Sequence, residues 1–182
     1  MTARTLNISS YTFAQTDELL IDANVWLYIH GPQVQGDWKI ENYSNALANI
    51  LQAKCSIFID VLILSEFINR YSRLKCTQEK GSSDPATFKS YRQSSNFKTV
   101  AKDIADAVHR IFKHSKCVES GFTSIDVNNL LADYESKCLD FNDQILAELC
   151  KSKSLKLVTH DRDFKDYDIT VLTANRNMLS NP

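Results

Sequence analysis

The chain has 182 residues and is 43% hydrophobic, enough for one full-sized globular core. Its 21 Lys and Arg against 22 Asp and Glu give a formal net charge of −1, which excludes a body that binds nucleic acid by overall charge and leaves local patches for that purpose. No apolar run approaches the ~18 residues that cross a bilayer, and the opening MTARTLNISS lacks a signal peptide's apolar core, so a single-domain, soluble, cytoplasmic protein without membrane contact is expected. Five cysteines, Cys55, Cys76, Cys117, Cys138 and Cys150, form no CxxC pair and have no closely spaced His partner. Reduced, mostly buried thiols are expected rather than disulfides or a zinc site.

In chain order, residues 1–17 are polar and aperiodic and read as a leading arm. Leu19-Leu20-Ile21 is a compact apolar strand ending in Asp22, and Asn24 to Ile29 continues with helical character until Gly31-Pro32 stops it. Asp22 is therefore either a helix cap or a functional acid at a strand end. Ile40 to Lys54 is an amphipathic helix through Tyr43, Ala46, Leu47, Ile50 and Leu51, followed by a buried strand over Cys55–Ile59 that Asp60 closes. Val61 to Lys75 is a long helix on which Glu66 stands in an apolar surround, either as an i,i+4 partner of Arg70 or for a chemical reason.

Residues 76–96 turn polar, with Gly81-Ser82-Ser83 as a loop and Asp84-Pro85 as a helix cap and first helical residue. The segment reads as a polar helical insertion in a core spanning about 18–174. Phe97 to His114 is a strongly amphipathic helix through Val100, Ile104, Ala107, Val108, Ile111 and Phe112. Lys89, Arg92, Lys98, Lys102, Arg110, Lys113 and Lys116 give this region a basic lean, the mark of a solvated helix face or of a surface that meets RNA. Lys116–Glu119 reads as a short strand. Ser124–Lys137 reads as a helix capped by Ser124 or Asp126, with Val127, Leu130, Leu131 and Tyr134 inward.

Asn142 to Lys151 is a further helix, with Ile145, Leu146, Leu149 and Cys150 on one face and Gln144, Glu148 and Lys151 on another. Leu155–Thr159 is a short buried strand that ends abruptly in His160-Asp161-Arg162-Asp163. Ile169–Thr173 is a last strand, and Ala174–Pro182 reads as a tail.

This order suits a three-layer α/β/α sandwich with a central, mainly parallel sheet, in which ligands bind at the strands' carboxyl ends. Asp22, Asp161 and Asp163 sit at such ends. Asp140 and Asp143 sit where a helix begins, and Glu66 stands on a helix able to lean over the same edge. Carboxylates gathered there repel one another unless cations are present, which implies bound Mg²⁺ or Mn²⁺. Two such ions about 3.5 to 4 Å apart activate a water and steady the leaving oxygen of a phosphodiester without a nucleophilic side chain. A phosphatase with an aspartyl nucleophile would want Asp-x-Asp after the first strand; the chain has Asp22-Ala23-Asn24.

The stretches LLIDANVWLY around Asp22, LSEFINR around Glu66, DFNDQILAEL around Asp143 and KLVTHDRDF around Asp161 and Asp163 together resemble the PIN-domain ribonucleases. That family includes the toxins of VapBC-type toxin–antitoxin pairs. The resemblance covers most of the chain in the right order. It implies an endoribonuclease that uses Mg²⁺ or Mn²⁺, with Asp22, Glu66, Asp143 and Asp161 as catalytic and metal-holding acids and Asp163 as an accessory ligand. Asp143, Ile145 and Ala147 match the family's helix start, which puts Asp140 second. Thr159 matches a position that often carries a hydroxyl and is a second choice beside the acids; packing at the strand end is its other reading. The implied partners are an RNA substrate, an antitoxin protein and a second copy in a homodimer. The alternative is a PIN-like scaffold that binds RNA or a protein without cutting.

Overall fold

A computed structural model describes residues 4–32 and 36–179. Among the described residues six strands form one sheet: β1 (Arg4–Asn7), β2 (Glu18–Ile21), β3 (Ser56–Ile59), β4 (Ser115–Cys117), β5 (Lys156–Val158) and β6 (Thr170–Thr173). Their order is β1-β6-β5-β2-β3-β4, and every pairing is parallel. The helices are α1 (Ala23–His30), α2 (Trp38–Gln52), α3 (Val61–Lys80), α4 (Pro85–Gln93), α5 (Phe97–Phe112), α6 (Val127–Lys137), α7 (Phe141–Lys153) and α8 (Arg176–Leu179).

The topology follows from the handedness of parallel crossovers. From β2 the chain steps outward to β3 and β4 through α1–α5, which pack on one another. From β4 it returns through α6 and α7 to β5, on the far side of β2. Because parallel crossovers are right-handed, reversing the direction of travel puts the two helix sets on opposite faces. The central strands are covered on both sides, which explains why Leu19, Leu20 and Leu157 are fully buried and why these strands read as unbroken apolar runs. The direction reverses between β2 and β5, and in open α/β sheets such a seam opens a crevice beyond the strands' carboxyl ends.

Several sequence expectations need correction. The leading arm contains β1, an edge strand in register with β6 from Arg4 opposite Thr170 to Asn7 opposite Thr173, and Ile8 behind it is buried; residues 1–3 lie outside the described residues. Four half-exposed residues carry too little alternation to announce a strand, and pairing with β6 supplies what propensity does not. The expected tail likewise holds α8, whose Met178 is buried, while 180–182 lie outside the described residues. The helix over Glu66 runs five residues past Lys75 and stops where Gly81 adopts φ 75° as a left-handed cap.

Residues 76–96 are stitched into the core rather than set apart from it. Cys76, Phe88 and Tyr91 are buried, and Asp84 caps α4 by accepting from the Ala86 and Thr87 N–H groups, both at 3.1 Å. On α6 only Leu130 is buried; Leu131 and Tyr134, expected inward, are 50% and 55% exposed. Gln144, expected on the outer face of α7, is buried and donates to Leu139 O at 3.3 Å. The thiols divide: Cys76 and Cys150 are buried, Cys55 is intermediate, and Cys117 and Cys138 are exposed.

Candidate active site

Asp22 and Thr159 follow adjacent strands at the seam, where Ile21 of β2 lies opposite Val158 of β5. The Asp22 N–H continues the ladder by donating to Val158 O at 3.0 Å. Asp22 occupies the N-cap position of α1, yet its side chain makes no capping hydrogen bond. Asp60 holds the equivalent position after β3 and does cap, accepting from Leu62 N–H at 2.7 Å. The Asp22 carboxylate is instead taken by side chains. Thr159 Oγ1 donates to Oδ2 at 2.6 Å and Asn24 Nδ2 donates to the same oxygen at 2.5 Å.

Burial is the main reason the Asp22 carboxyl is pushed up to about 6. The Thr159 hydrogen bond opposes the rise, and the charges of Glu66 and Asp161 add to it. Asp143, in the first turn of α7, is pushed up further, to about 8, first by burial and then by Asp140, Asp22, Asp161 and Glu66. Glu66 and Asp161 thus act on both Asp22 and Asp143, and Asp22 acts on Asp143, although the four come from separate parts of the chain.

The remaining acids are placed differently. Asp140 caps α7, with its Oδ1 accepting from Asn142 N–H at 2.8 Å and Asp143 N–H at 3.3 Å. Its charge also raises Asp143. Asp161 also accepts from Asp163 N–H at 3.0 Å, capping a short 3-10 turn over Arg162–Asp166. Asp163 itself is exposed beside Arg162. It borders an open depression of about 530 Å³ whose lining includes Asp140, Asp143, Arg162 and Tyr167. Glu66 Oε1 accepts from Arg70 at 2.9 Å, the i,i+4 pairing, and its charge also raises Asp22 and Asp143.

Among the described residues no three His, Cys, Asp or Glu side chains come together as a metal centre; the four acids communicate by charge. Their chemistry nonetheless fits a hard cation, being oxygen-only and mutually repelling, with Asp22 and Asp143 poised to lose protons to a positive ion.

The PIN domain family matches residues 19–170 of the sequence, a span that begins in β2 and ends in β6 and contains all of these acids. The chain belongs to the PIN domain family. Its fold is shared with VapBC2 from Rickettsia felis, solved bound to a DNA fragment from their promoter, at 14% identity and a TM-score of 0.54 over 86% of this chain and 98% of that one. PAE2754 from Pyrobaculum aerophilum is 14% identical with a TM-score of 0.48, over 92% of this chain and 96% of that one. Comparison with curated proteins gives no match.

In this PIN domain the acids rest on polar supports that sequence reading passed over. Asn24 holds Asp22, donates to Thr159 Oγ1 at 3.1 Å, and accepts from His160 N–H at 3.1 Å through Oδ1. Tyr43 Oη donates to Thr159 O at 3.2 Å, lies 2.9 Å from His160 Nδ1 and accepts from Ala174 N–H at 3.2 Å. Asn175 Nδ2 donates to His160 O at 2.8 Å. The signal for Asn24 was present, a buried amide two residues after an acid inside an apolar run. Nothing in the sequence singled out Tyr43 from other core aromatics.

Proposed function

We propose that this PIN domain is a metal-dependent endoribonuclease, in which Asp22, Glu66, Asp143 and Asp161 hold Mg²⁺ or Mn²⁺ and Asp163 assists from the rim. The observation that carries the proposal is the shared electrostatics of four acids at the carboxyl edge of the β2–β5 seam, with Asp143 pushed up to about 8 and Asp22 to about 6. When bound, the cation supplies a Lewis acid that activates water and steadies the leaving oxygen. Asp22 is the anchor, because Thr159 and Asn24 fix its carboxylate before anything binds. Asp143 enters from α7 and must release its proton as the cation arrives. Asp140 serves by capping α7 and orienting Asp143, which favours Asp143 as the third acid.

The RNA backbone requires cations away from the acids. Arg73, Lys89 and Arg92 border an open depression of about 460 Å³ between α3 and α4 with no acid in its lining. Arg73 lies 4.3 Å from the Phe88 ring centre and donates from Nη1 to Ser83 O at 3.1 Å, which fixes its guanidinium at the edge of this depression.

A protein partner, an antitoxin or a second copy of the chain, is the further part of this reading. Its support is the exposed apolar surface of Leu131 and Tyr134 on α6 with Phe122 before it. A non-cutting scaffold is the rival, favoured by the spacing of the acids, which charge rather than contact unites.

The deciding experiment incubates purified protein with mixed RNA in Mg²⁺ or Mn²⁺, beside Asp22→Asn, Asp143→Asn and an EDTA control. Metal-dependent cleavage lost in both variants is the expected result. Equal inertness of all three proteins on every RNA would leave the scaffold as the better account.

A further inference from the structure

A second cavity adjoins the acids on the α1 side. It encloses about 200 Å³ between α1, α2 and α3, and its walls include Leu27, Tyr28, Ile40 and Leu74, with Asn24, Asp37 and Arg70 on the polar side. Two of these polar residues also hold the acids: Asn24 donates to Asp22 Oδ2, and Arg70 donates to Glu66 Oε1. The cavity therefore begins one side chain away from the place where the proposed reaction occurs.

Its chemistry suits a flat, mostly apolar ring with polar edges. Tyr28 is stacked on the buried Tyr43 ring at 5.7 Å and 6°, so its orientation is fixed before a ligand enters. Lys39 Nζ lies 5.2 Å from the Tyr28 ring centre and 3.6 Å from Asp37 Oδ2, so an ion pair borders the pocket on this side. Trp38, 45% exposed, meets the His160 ring edge-on at 5.8 Å, extending the aromatic surface toward the acids. At about 200 Å³ the cavity is smaller than the ~300 to 1,000 Å³ of sites that take whole drug-sized ligands. It has room for one heterocycle, with the attached sugar-phosphate outside.

We infer that this cavity receives a single unstacked nucleobase of single-stranded RNA, next to the phosphate presented to the acids. The inference rests on the ribonuclease reading and deepens it by assigning a base-binding cavity beside the acids. Unpaired bases bind proteins by stacking on aromatic rings and by hydrogen bonds at their edges. A base in a duplex has neither its faces nor its pairing edge free for this pocket. Asn24 and Asp37 offer a donor and an acceptor to the edge of a base, Arg70 and Lys39 stay paired with Glu66 and Asp37, and Asn24 couples occupancy of the pocket to the position of Asp22.

The test measures binding without metal, so that no strand is cut. Fluorescein-labelled 12-nucleotide RNAs are compared by anisotropy as a mixed-sequence single strand, the same strand in a duplex, and an abasic strand of equal length. The proteins are wild type, Leu74→Trp, which fills the cavity from its exposed rim, and Tyr28→Ala. Wild type is expected to prefer the intact single strand over the duplex and the abasic strand by about tenfold. Both variants are expected to lose that preference while binding the abasic strand as wild type does. Equal wild-type affinity for intact and abasic strands overturns the inference, as does a Leu74→Trp protein indistinguishable from wild type, which would leave the cavity to a protein side chain. Wild type that binds none of the three RNAs removes the ribonuclease reading along with the pocket. Metal-dependent cutting with no base preference removes the pocket alone.

Discussion

Thr159 Oγ1 donates to Asp22 Oδ2 at 2.6 Å, joining residues 137 positions apart across the seam between β5 and β2. The same hydroxyl accepts from Asp161 N–H at 3.0 Å, so it ties the acid of one strand end to the loop that carries the acid of the other. Thr159→Val removes a donor from a buried carboxylate and is expected to cost about 1 to 3 kcal/mol. Thr159→Ser should recover most of the loss, and urea unfolding of the three proteins measures it. Because the hydrogen bond holds the Asp22 carboxyl down, Thr159→Val should also displace the alkaline rise of metal-dependent activity to higher pH.

Asp143→Asn should separate function from stability. Asp143 is held up near 8 by burial and by four neighbouring carboxylates, so its charge opposes folding at alkaline pH. The neutral amide is expected to stabilise the metal-free fold at pH 8.5 by about 1 to 2 kcal/mol, a figure reduced for the partial exposure of the group, while abolishing cleavage. Thermal unfolding in EDTA and an RNA gel on the same preparation give the two readouts.

The pH dependence of stability has a definite sign. Asp22 and Asp143 are raised from 3.8 to about 6 and about 8 in the fold, so between these limits the folded protein binds more protons than the unfolded chain. Their contribution to stability therefore falls as pH rises from about 4, reaching its full loss, on the order of a few kcal/mol, above about 8. Calorimetry in EDTA should show the melting temperature falling across this window. Saturating Mn²⁺ should raise it more at pH 8 than at pH 5, because at the lower pH protons compete for the carboxylates.

Phe88→Ala tests how far residues 76–96 belong to the core. Phe88 is 8% exposed and carries Arg73 on its ring face. Truncation is expected to cost about 3 to 5 kcal/mol, whereas neighbouring, exposed Lys89→Ala should stay within about 0.5 kcal/mol. Denaturation midpoints of the two variants distinguish a packed hairpin from a detachable insertion.

How much of this was legible depended on how local the signal was. The helix over α5 announced itself by periodicity, and the strands β2, β3, β5 and β6 by apolar runs; in β2 and β6, burial on both faces leaves no alternation to misread. The arm hiding β1 and the tail hiding α8 carried no such pattern; each forms because β6 and the core are already there to receive it. On α6, Leu131 and Tyr134 fit an apolar stripe and were read as buried, yet α6 packs mainly on α7 and leaves them outside. Periodicity reports which residues share a face, and cannot report how many faces have a neighbour.

The same division runs through the acids. Strand ends and helix starts are local events, so the sequence by itself determined that Asp22, Asp161 and Asp143 stand at element boundaries and that Glu66 stands within a helix. Only the tertiary structure decided that the order of strands reverses between β2 and β5, bringing these boundaries to one edge. It alone distinguished Asp22, which caps nothing and is held by Thr159 and Asn24, from Asp60, which occupies the same local position and caps α3. The reason is physical: a carboxylate's role is set by burial and by the donors and charges around it, and here those come from residues far away in the chain.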